Sequence, residues 1–303
     1  MTQPVAPSGE QHELVHGARR AVVAEVGAGL RTYDVGGQAR LDGYAQDEMC
    51  SSGRGQVLMP WPNRIEDGSY EFDGRQHQLP LSEAGARNAI HGLVRWVAWR
   101  VAERGDDRVV LEHLLHPQPG YPFALALWVE YALDDAGLAV RTTATNVGAE
   151  PCPFGSGNHP YLTLGTDTVD DLTLTVPAGV VLESGDRGLP GASRAVEGTE
   201  LDFRAPRPIG GTQLDNAFTD LGRGADGNVR VELRDDAGGA ELVLWADESY
   251  THLQLFTGDP LPDVARRSLA VEPMTCAPNA FCTGEGVIRL EPGASWTGAW
   301  GIS

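Results

Sequence analysis

Short runs of β-forming residues recur along this chain, and turn chemistry rather than helix separates them. A parallel sheet needs long crossover connections, usually helices. No helical pattern of that kind alternates with the runs, so the strands must pair mainly through tight antiparallel turns. The clearest hairpin joins residues 123–133 to 138–146 through Asp134-Asp135-Ala136-Gly137. Its second arm carries Thr142, Thr143 and Thr145, β-branched residues that suit a pleated surface. A second hairpin places Asp73-Gly74 between Ser69-Tyr70-Glu71-Phe72 and residues 75–79, and a third turns at Gly36-Gly37. Further runs lie at residues 229–233, 240–245, 251–257, 268–272, 287–290 and 295–302. With 38 Gly and 20 Pro in 303 residues to supply turns, the expected fold is all-β, one large antiparallel β-sandwich. We place it at residues 19–303, with residues 1–18 as a loose N-terminal arm. Residues 184–212, rich in Gly, Pro and Arg, read as a long surface excursion, because strand signals continue on both sides without a change of composition.

The formal net charge is −19, which argues against nucleic acid and anionic membrane surfaces as partners. All 23 basic residues are arginine. The absence of lysine excludes a Schiff-base lysine and a Walker A lysine. The four cysteines, Cys50, Cys152, Cys276 and Cys282, show no zinc-type spacing. The first residues, polar and acidic, lack an apolar leader core, and no run reaches membrane-spanning length. The expectation is a cytoplasmic protein with reduced thiols.

Of eight histidines, two stand in distinctive company. His91 lies in Asn-Ala-Ile-His-Gly and His159 in Gly-Asn-His-Pro-Tyr-Leu, where flanking Gly and Pro hold the backbone in a turn or at a strand edge. His12 and His16 fall in the arm, His77 reads as solvent-facing, His113 and His116 flank a strand end, and His252 opens a strand. Glu272 ends an apolar run among Val271, Pro273, Met274 and Cys276, a setting that should desolvate it and raise its pKa toward a general base's range. Arg64 and His91 bracket the Asp73-Gly74 hairpin, and Asp215 in Leu-Asp-Asn-Ala-Phe is a further candidate beside its simpler reading as an Asx turn. A metal site from His91, His159 and Glu272 is conceivable, but no HxH or HExxH spacing supports it.

Five motifs run in order along nearly the whole chain: Pro60-Trp61-Pro62-Asn63-Arg64-Ile65 with the hairpin after it, Asn88-Ala89-Ile90-His91-Gly92, Gly157-Asn158-His159-Pro160-Tyr161-Leu162, Leu214-Asp215-Asn216-Ala217-Phe218 and Val271-Glu272-Pro273-Met274-Thr275. In this the sequence resembles the aldose 1-epimerases, the galactose mutarotase-like proteins. The resemblance implies a single supersandwich domain with an open cleft, no cofactor and no metal, and a small-molecule sugar substrate. It assigns Glu272 as general base, His159 as general acid, His91 as a second active-site histidine, and Arg64 and Asp215 as sugar-binding residues. One departure is that Pro273-Met274-Thr275 follows the glutamate where galactose mutarotases carry Thr-Gln, a pattern similar to a divergent bacterial branch. The implied activity is interconversion of the α and β anomers of a free aldohexose such as glucose or galactose, by a monomer or homodimer. The alternatives are a non-catalytic carbohydrate-binding sandwich and a hexose-6-phosphate 1-epimerase. The phosphate reading would want arginines at the cleft, from pairs such as Arg19-Arg20 or Arg266-Arg267. Trp61 is a candidate sugar-stacking face, with a core or rim role the simpler alternative.

Overall fold

In the computed structural model, which describes residues 5–303, the turn at residues 134–137 closes the longest hairpin. Strands Leu125–Asp134 and Gly137–Asn146 pair antiparallel along their whole length. Asp134 Oδ1 accepts the N–H groups of Ala136 and Gly137 at 2.7 and 3.1 Å, an Asx turn. Gly137 has φ +134°, and a Cβ there would stand 2.1 Å from the Ile302 carbonyl oxygen. The period-two pattern then sorts side chains: Leu125, Leu127, Val129, Tyr131 and Leu133 are buried, while Ala126, Trp128 and Glu130 are half-buried on the other face.

This hairpin supplies the third and fourth strands of a nine-stranded sheet, flanked by Arg108–Leu115 on one side and Ser295–Ile302 on the other. A second, eight-stranded sheet runs Pro190–Ala195, Ala178–Ser184, Asp215–Leu221, His252–Phe256, Leu269–Met274, Gly157–Asn158 and Val57–Leu58, with Tyr161–Leu162 also paired to Leu269–Met274. One hydrophobic core takes Leu127, Tyr131 and Trp300 from the first sheet and Val181, Phe218 and Leu253 from the second. The expected antiparallel sandwich is therefore the fold. The only helices among the described residues are a single turn each, Asp186–Gly188 and Ala280–Thr283, and none is long and apolar enough to cross a membrane.

Several local expectations need correction. The N-terminal arm is not loose over residues 11–16: Gln11–His16 pairs with Arg19–Ala24 from Gln11↔Ala24 to His16↔Arg19, in a four-stranded sheet. Its inward side chains are His12 and Leu14, so a buried histidine hides the apolar alternation that would have marked the strand. Residues 1–4 lie outside the described residues. The 184–212 excursion contains an edge strand, Pro190–Ala195, whose side chains are almost all exposed. A strand without an apolar face carries no periodic signal. His77 is not solvent-facing: its ring stacks on Tyr70 at 4.9 Å and meets Phe123 at 5.7 Å.

Leu14 is fully buried in a strand outside both large sheets, so its truncation tests whether that strand is part of the cooperative fold. Leu14→Ala should lower unfolding stability by about 2–5 kcal/mol, read from urea denaturation. A loose arm would give no change.

Candidate active site

The site rests on the alternation of two neighbouring strands. In His252–Phe256, residues Leu253 and Leu255 enter the main core, which sends His252, Gln254 and Phe256 to the opposite face. Register pairs Gln254 with Glu272 and Phe256 with Ala270, so Glu272 shares that face while Val271 enters the core. One strand further, Asp215 pairs with Phe256 and Ala217 with Gln254. Glu272, Gln254 and Asp215 therefore form a polar row on the cleft face, and Gln254 Nε2 donates to Asp215 Oδ1 at 2.8 Å.

His159 follows strand Gly157–Asn158 on the other side of Glu272. Its main chain is held between residues 55 and 56: its N–H donates to the Gln56 carbonyl and its own carbonyl accepts from Gly55. Its ring stacks on Tyr161 at 4.9 Å and 10°, the Arg54 guanidinium lies 4.5 Å from the centre of the Tyr161 ring, and Arg54 pairs with Asp42 at 3.3 Å. His159 Nε2 then meets Glu272 Oε1 at 3.3 Å. Both side chains are buried, 5% and 2% exposed.

His91 arrives from the hairpin segment. Asn63 N–H donates to His91 Nδ1 at 3.1 Å, and His91 N–H donates to the Asn63 carbonyl at 2.9 Å. With Nδ1 accepting, the imidazole proton sits on Nε2. The His91 and His159 rings lie 5.4 Å apart, edge to face. Arg64 donates from Nε and Nη2 to the two oxygens of Glu83, each at 2.9 Å, and from Nη1 to the Gly188 carbonyl at 3.3 Å. That leaves one N–H on each terminal nitrogen free for another acceptor.

Burial dominates the electrostatics. Desolvation pushes the Glu272 carboxyl well above its ordinary 4.5, with the nearby Asp215 carboxylate adding to the shift and Arg64 opposing it. Desolvation, then the Arg95 charge, pushes His159 far below its ordinary 6.5. His91 is lowered likewise, by burial and by His159. Burial raises Asp215, with Arg64 opposing. For Glu83 burial acts upward, but hydrogen bonds from Arg64 and Asn88 outweigh it and hold the carboxyl low.

All five sequence-predicted residues, Glu272, His159, His91, Arg64 and Asp215, line one open cleft of about 510 Å³. His91, His159 and Glu272 also bring one potential ligand atom each to within 4.8 Å of one another, a donor set that could hold a metal ion. Trp61 is absent from the cleft: it is 2% exposed and packs on Phe281. The exposed aromatic at the cleft is Trp96, 50% exposed. Sequence reasoning also missed Glu83, Arg95 and Gln254. Only Gln254 left a signal, as the polar member of Leu-Gln-Leu in a strand. Neither anticipated arginine pair supplies the cleft. Arg19 and Arg20 bind Asp135 and Glu13 in the N-terminal sheet region, and Arg266 and Arg267 are engaged by Asp170, Asp259 and Asp42.

Residues 10–303 match the family model described as aldose 1-epimerase. The chain belongs to the aldose 1-epimerase family. It is thus an isomerase by family. It is 34% identical to the uncharacterized protein YihR of Escherichia coli, over 94% of this chain and 90% of that one. It is 31% identical to human galactose mutarotase over 57% of this chain and 51% of that enzyme. Solved structures sharing this epimerase fold include a homologue of the family from C. elegans (TM-score 0.86, 23% identity, 97% and 98% of the two chains). Another is a galactose 1-epimerase from Lactobacillus acidophilus (TM-score 0.79, 22% identity, 96% and 93%).

The Arg64 position in this epimerase depends on Gly188, whose φ is +69° and whose added Cβ would fall 2.7 Å from Arg64 Cζ. Gly188→Ala should displace the guanidinium and raise KM for the substrate by on the order of tenfold, at a stability cost of about 1–2 kcal/mol from the left-handed backbone. A KM equal to wild type would show that Arg64 needs no such seat.

Proposed function

We propose that the protein is a mutarotase that interconverts the α and β anomers of an aldohexose, with Glu272 and His159 as its acid–base pair. The observation that carries this reading is the buried Nε2–Oε1 contact of 3.3 Å at the floor of an open, polar-walled cleft. Ring opening moves two protons on oxygens that share one carbon, C1. One proton leaves the anomeric hydroxyl and one arrives at the ring oxygen. Two adjacent groups, one protonated and one not, therefore serve both ends of the step. Burial leaves the single proton on Glu272 in the empty cleft; once it passes across the contact to His159 in the sugar complex, Glu272 takes the hydroxyl proton as His159 gives one to the ring oxygen, and the C1–O5 bond breaks to leave the open-chain aldehyde. Rotation about C1–C2 presents the other carbonyl face, and the reverse transfers close the other anomer. The enzyme returns to its starting charge, so no cofactor is consumed.

The remaining residues hold the sugar in this reading. Arg64 offers its two free N–H groups, His91 offers its Nε2 proton, and Asp215 accepts from sugar hydroxyls through the oxygen not bound by Gln254. Trp96 replaces Trp61 as the aromatic face at the rim. A pure carbohydrate-binding sandwich has no use for a desolvated carboxyl in contact with an imidazole, since each could bind sugar better while solvated and charged.

Anomer exchange followed by polarimetry or NMR on fresh α-D-aldoses tests the reading directly. Glu272→Gln and His159→Asn should each lower kcat by about 10²–10⁴-fold while circular dichroism stays native. Rates no faster than buffer across a broad aldose panel would rule the activity out.

The pH profile gives a second test. The competent pair carries one proton in total. Acid inactivates by adding a second proton, which the depressed His159 resists until well below its ordinary 6.5. Alkali inactivates by removing the only one, which the raised Glu272 resists until well above its ordinary 4.5. The kcat profile should therefore have an acid midpoint below that of a free imidazole and an alkaline midpoint above that of a free glutamate. An acid midpoint at 6.5 would contradict the buried-pair account.

A further inference from the structure

Arg64 is held through Glu83 on one side and through the Gly188 carbonyl on the other. Both holds lead back to Arg187, a residue that does not line the cleft. Arg187 lies in the single helical turn Asp186–Gly188, at the tip of the hairpin between Ala178–Ser184 and Pro190–Ala195. Its φ is +65°, a left-handed conformation that a residue with a side chain keeps only where contacts over-determine it. The guanidinium supplies those contacts by crossing to the segment that carries Arg64 and His91. Nε donates to the Ala86 carbonyl at 2.7 Å, and Nη2 donates to the Arg87 carbonyl and to Asp67 Oδ1, each at 2.9 Å. Nη1 reaches Glu66 Oε1 at 3.5 Å. Every one of these partners is at least 100 residues away in sequence, so the tip is docked by tertiary contacts and not by local ones.

Asn88 carries the hold onward. Its side chain is fully buried. Oδ1 accepts from Arg187 Nη2 at 3.2 Å, and Nδ2 donates both to the Arg187 carbonyl at 3.0 Å and to Glu83 Oε2 at 2.9 Å. Arg187 thus grips the Asn88 amide at both ends, which fixes the plane of the amide and aims one N–H at Glu83. Glu83 is also tied to Asn88 by two main-chain hydrogen bonds, at 3.0 and 3.2 Å. Its carboxylate then takes Nε and Nη2 of Arg64. The second route is shorter. Gly188 follows Arg187 in the chain, and its carbonyl takes Nη1 of Arg64 at 3.3 Å. A planar guanidinium engaged at all three nitrogens has one orientation.

Resting on the mutarotase reading for what Arg64 holds, we infer that Arg187 is a positioning residue for Arg64. It touches no substrate atom. It orients Asn88, Asn88 orients Glu83, and Glu83 together with Gly188 aims the remaining N–H groups of Arg64 into the cleft. A charge on an exposed hairpin tip thereby contributes to substrate affinity without lining the site.

The test is a double-mutant cycle between Arg187 and Arg64, read as KM and kcat by NMR anomer exchange on the aldose that wild type turns over fastest. Arg187→Gly suits it, because glycine keeps the left-handed backbone while every side-chain contact is removed. Arg187→Gly should raise KM by about 3–10-fold, with a much smaller effect on kcat, the pattern of lost substrate binding. In an Arg64→Met background the same substitution should change KM by less than about twofold, because the group it positions is gone. Arg187→Lys keeps the charge but not the planar fork, so it should raise KM by a smaller factor, and it supplies the same cycle should the glycine variant not fold. An unchanged KM overturns the inference. An equal rise in both backgrounds also overturns it, since the hairpin would then act by a route other than Arg64. A second readout needs no turnover. The Arg64 Nε–H, identified in 15N spectra by its loss in Arg64→Met, is bonded to Glu83 and should exchange with water on the order of tenfold faster in Arg187→Gly. Unchanged exchange overturns the positioning role. If wild type turns over no aldose, the mutarotase reading falls, and the exchange measurement still decides whether Arg187 positions Arg64.

Discussion

The register of strand Leu269–Met274 against His252–Phe256 decides what this molecule can do. Side chains alternate across a sheet, so a slip of one residue would send Glu272 into the hydrophobic core and bring Val271 to the cleft. The pairing Gln254↔Glu272 is protected from such a slip by Leu253, Leu255 and Val271, all fully buried on the core face. Exposing them would cost roughly 1.5–3 kcal/mol each. The same hydrophobic packing that stabilises the sandwich thus fixes the carboxyl beside His159.

Much of this was legible in the sequence, for reasons that differ by residue. The hairpin strands announced themselves through turn residues at fixed offsets and two-residue alternation, as in Leu125–Asp134. The five named site residues were found because each sits in a short motif whose neighbours share the family resemblance, and the cleft gathers all five. The strand Gln11–His16 was missed because an inward histidine breaks its apolar pattern, and Pro190–Ala195 because an exposed edge strand has none. Arg95 and Glu83 escaped because a charged residue in a loop looks the same whether its partner is water or a distant side chain. Only three-dimensional contact separates Arg64, neutralised by Glu83, from Arg95, which meets no carboxylate among the described residues.

Burial gives the Glu272–His159 pair its character. In water a glutamate is the stronger acid and a histidine the stronger base, and the proton would reside firmly on the imidazole. Desolvation raises one and lowers the other far enough to reverse the order, so that burial favours the uncharged pair with the proton on Glu272. A reaction that opens and closes the same ring needs each group to act once as acid and once as base. One proton passing between the two groups lets a single contact do both, and ring closure uses the arrangement that ring opening leaves behind.

Arg64 ties that chemistry to a distant part of the fold. Its guanidinium is fixed by Glu83 and by the Gly188 carbonyl, and Gly188 lies at the tip of the hairpin that Ala178–Ser184 makes with the exposed strand Pro190–Ala195. The tip is docked by Arg187, whose side chain donates to the Ala86 and Arg87 carbonyls and pairs with Asp67 at 2.9 Å. These contacts are polar and partly solvent-exposed, of the kind that open at lower free energy than a packed core. The Glu272–His159 pair, by contrast, sits between core strands. The cleft therefore has a packed floor that holds Glu272 and His159 and a more polar wall that positions Arg64. Loss of the Arg187 contacts would therefore move Arg64 before it moved the Glu272–His159 contact.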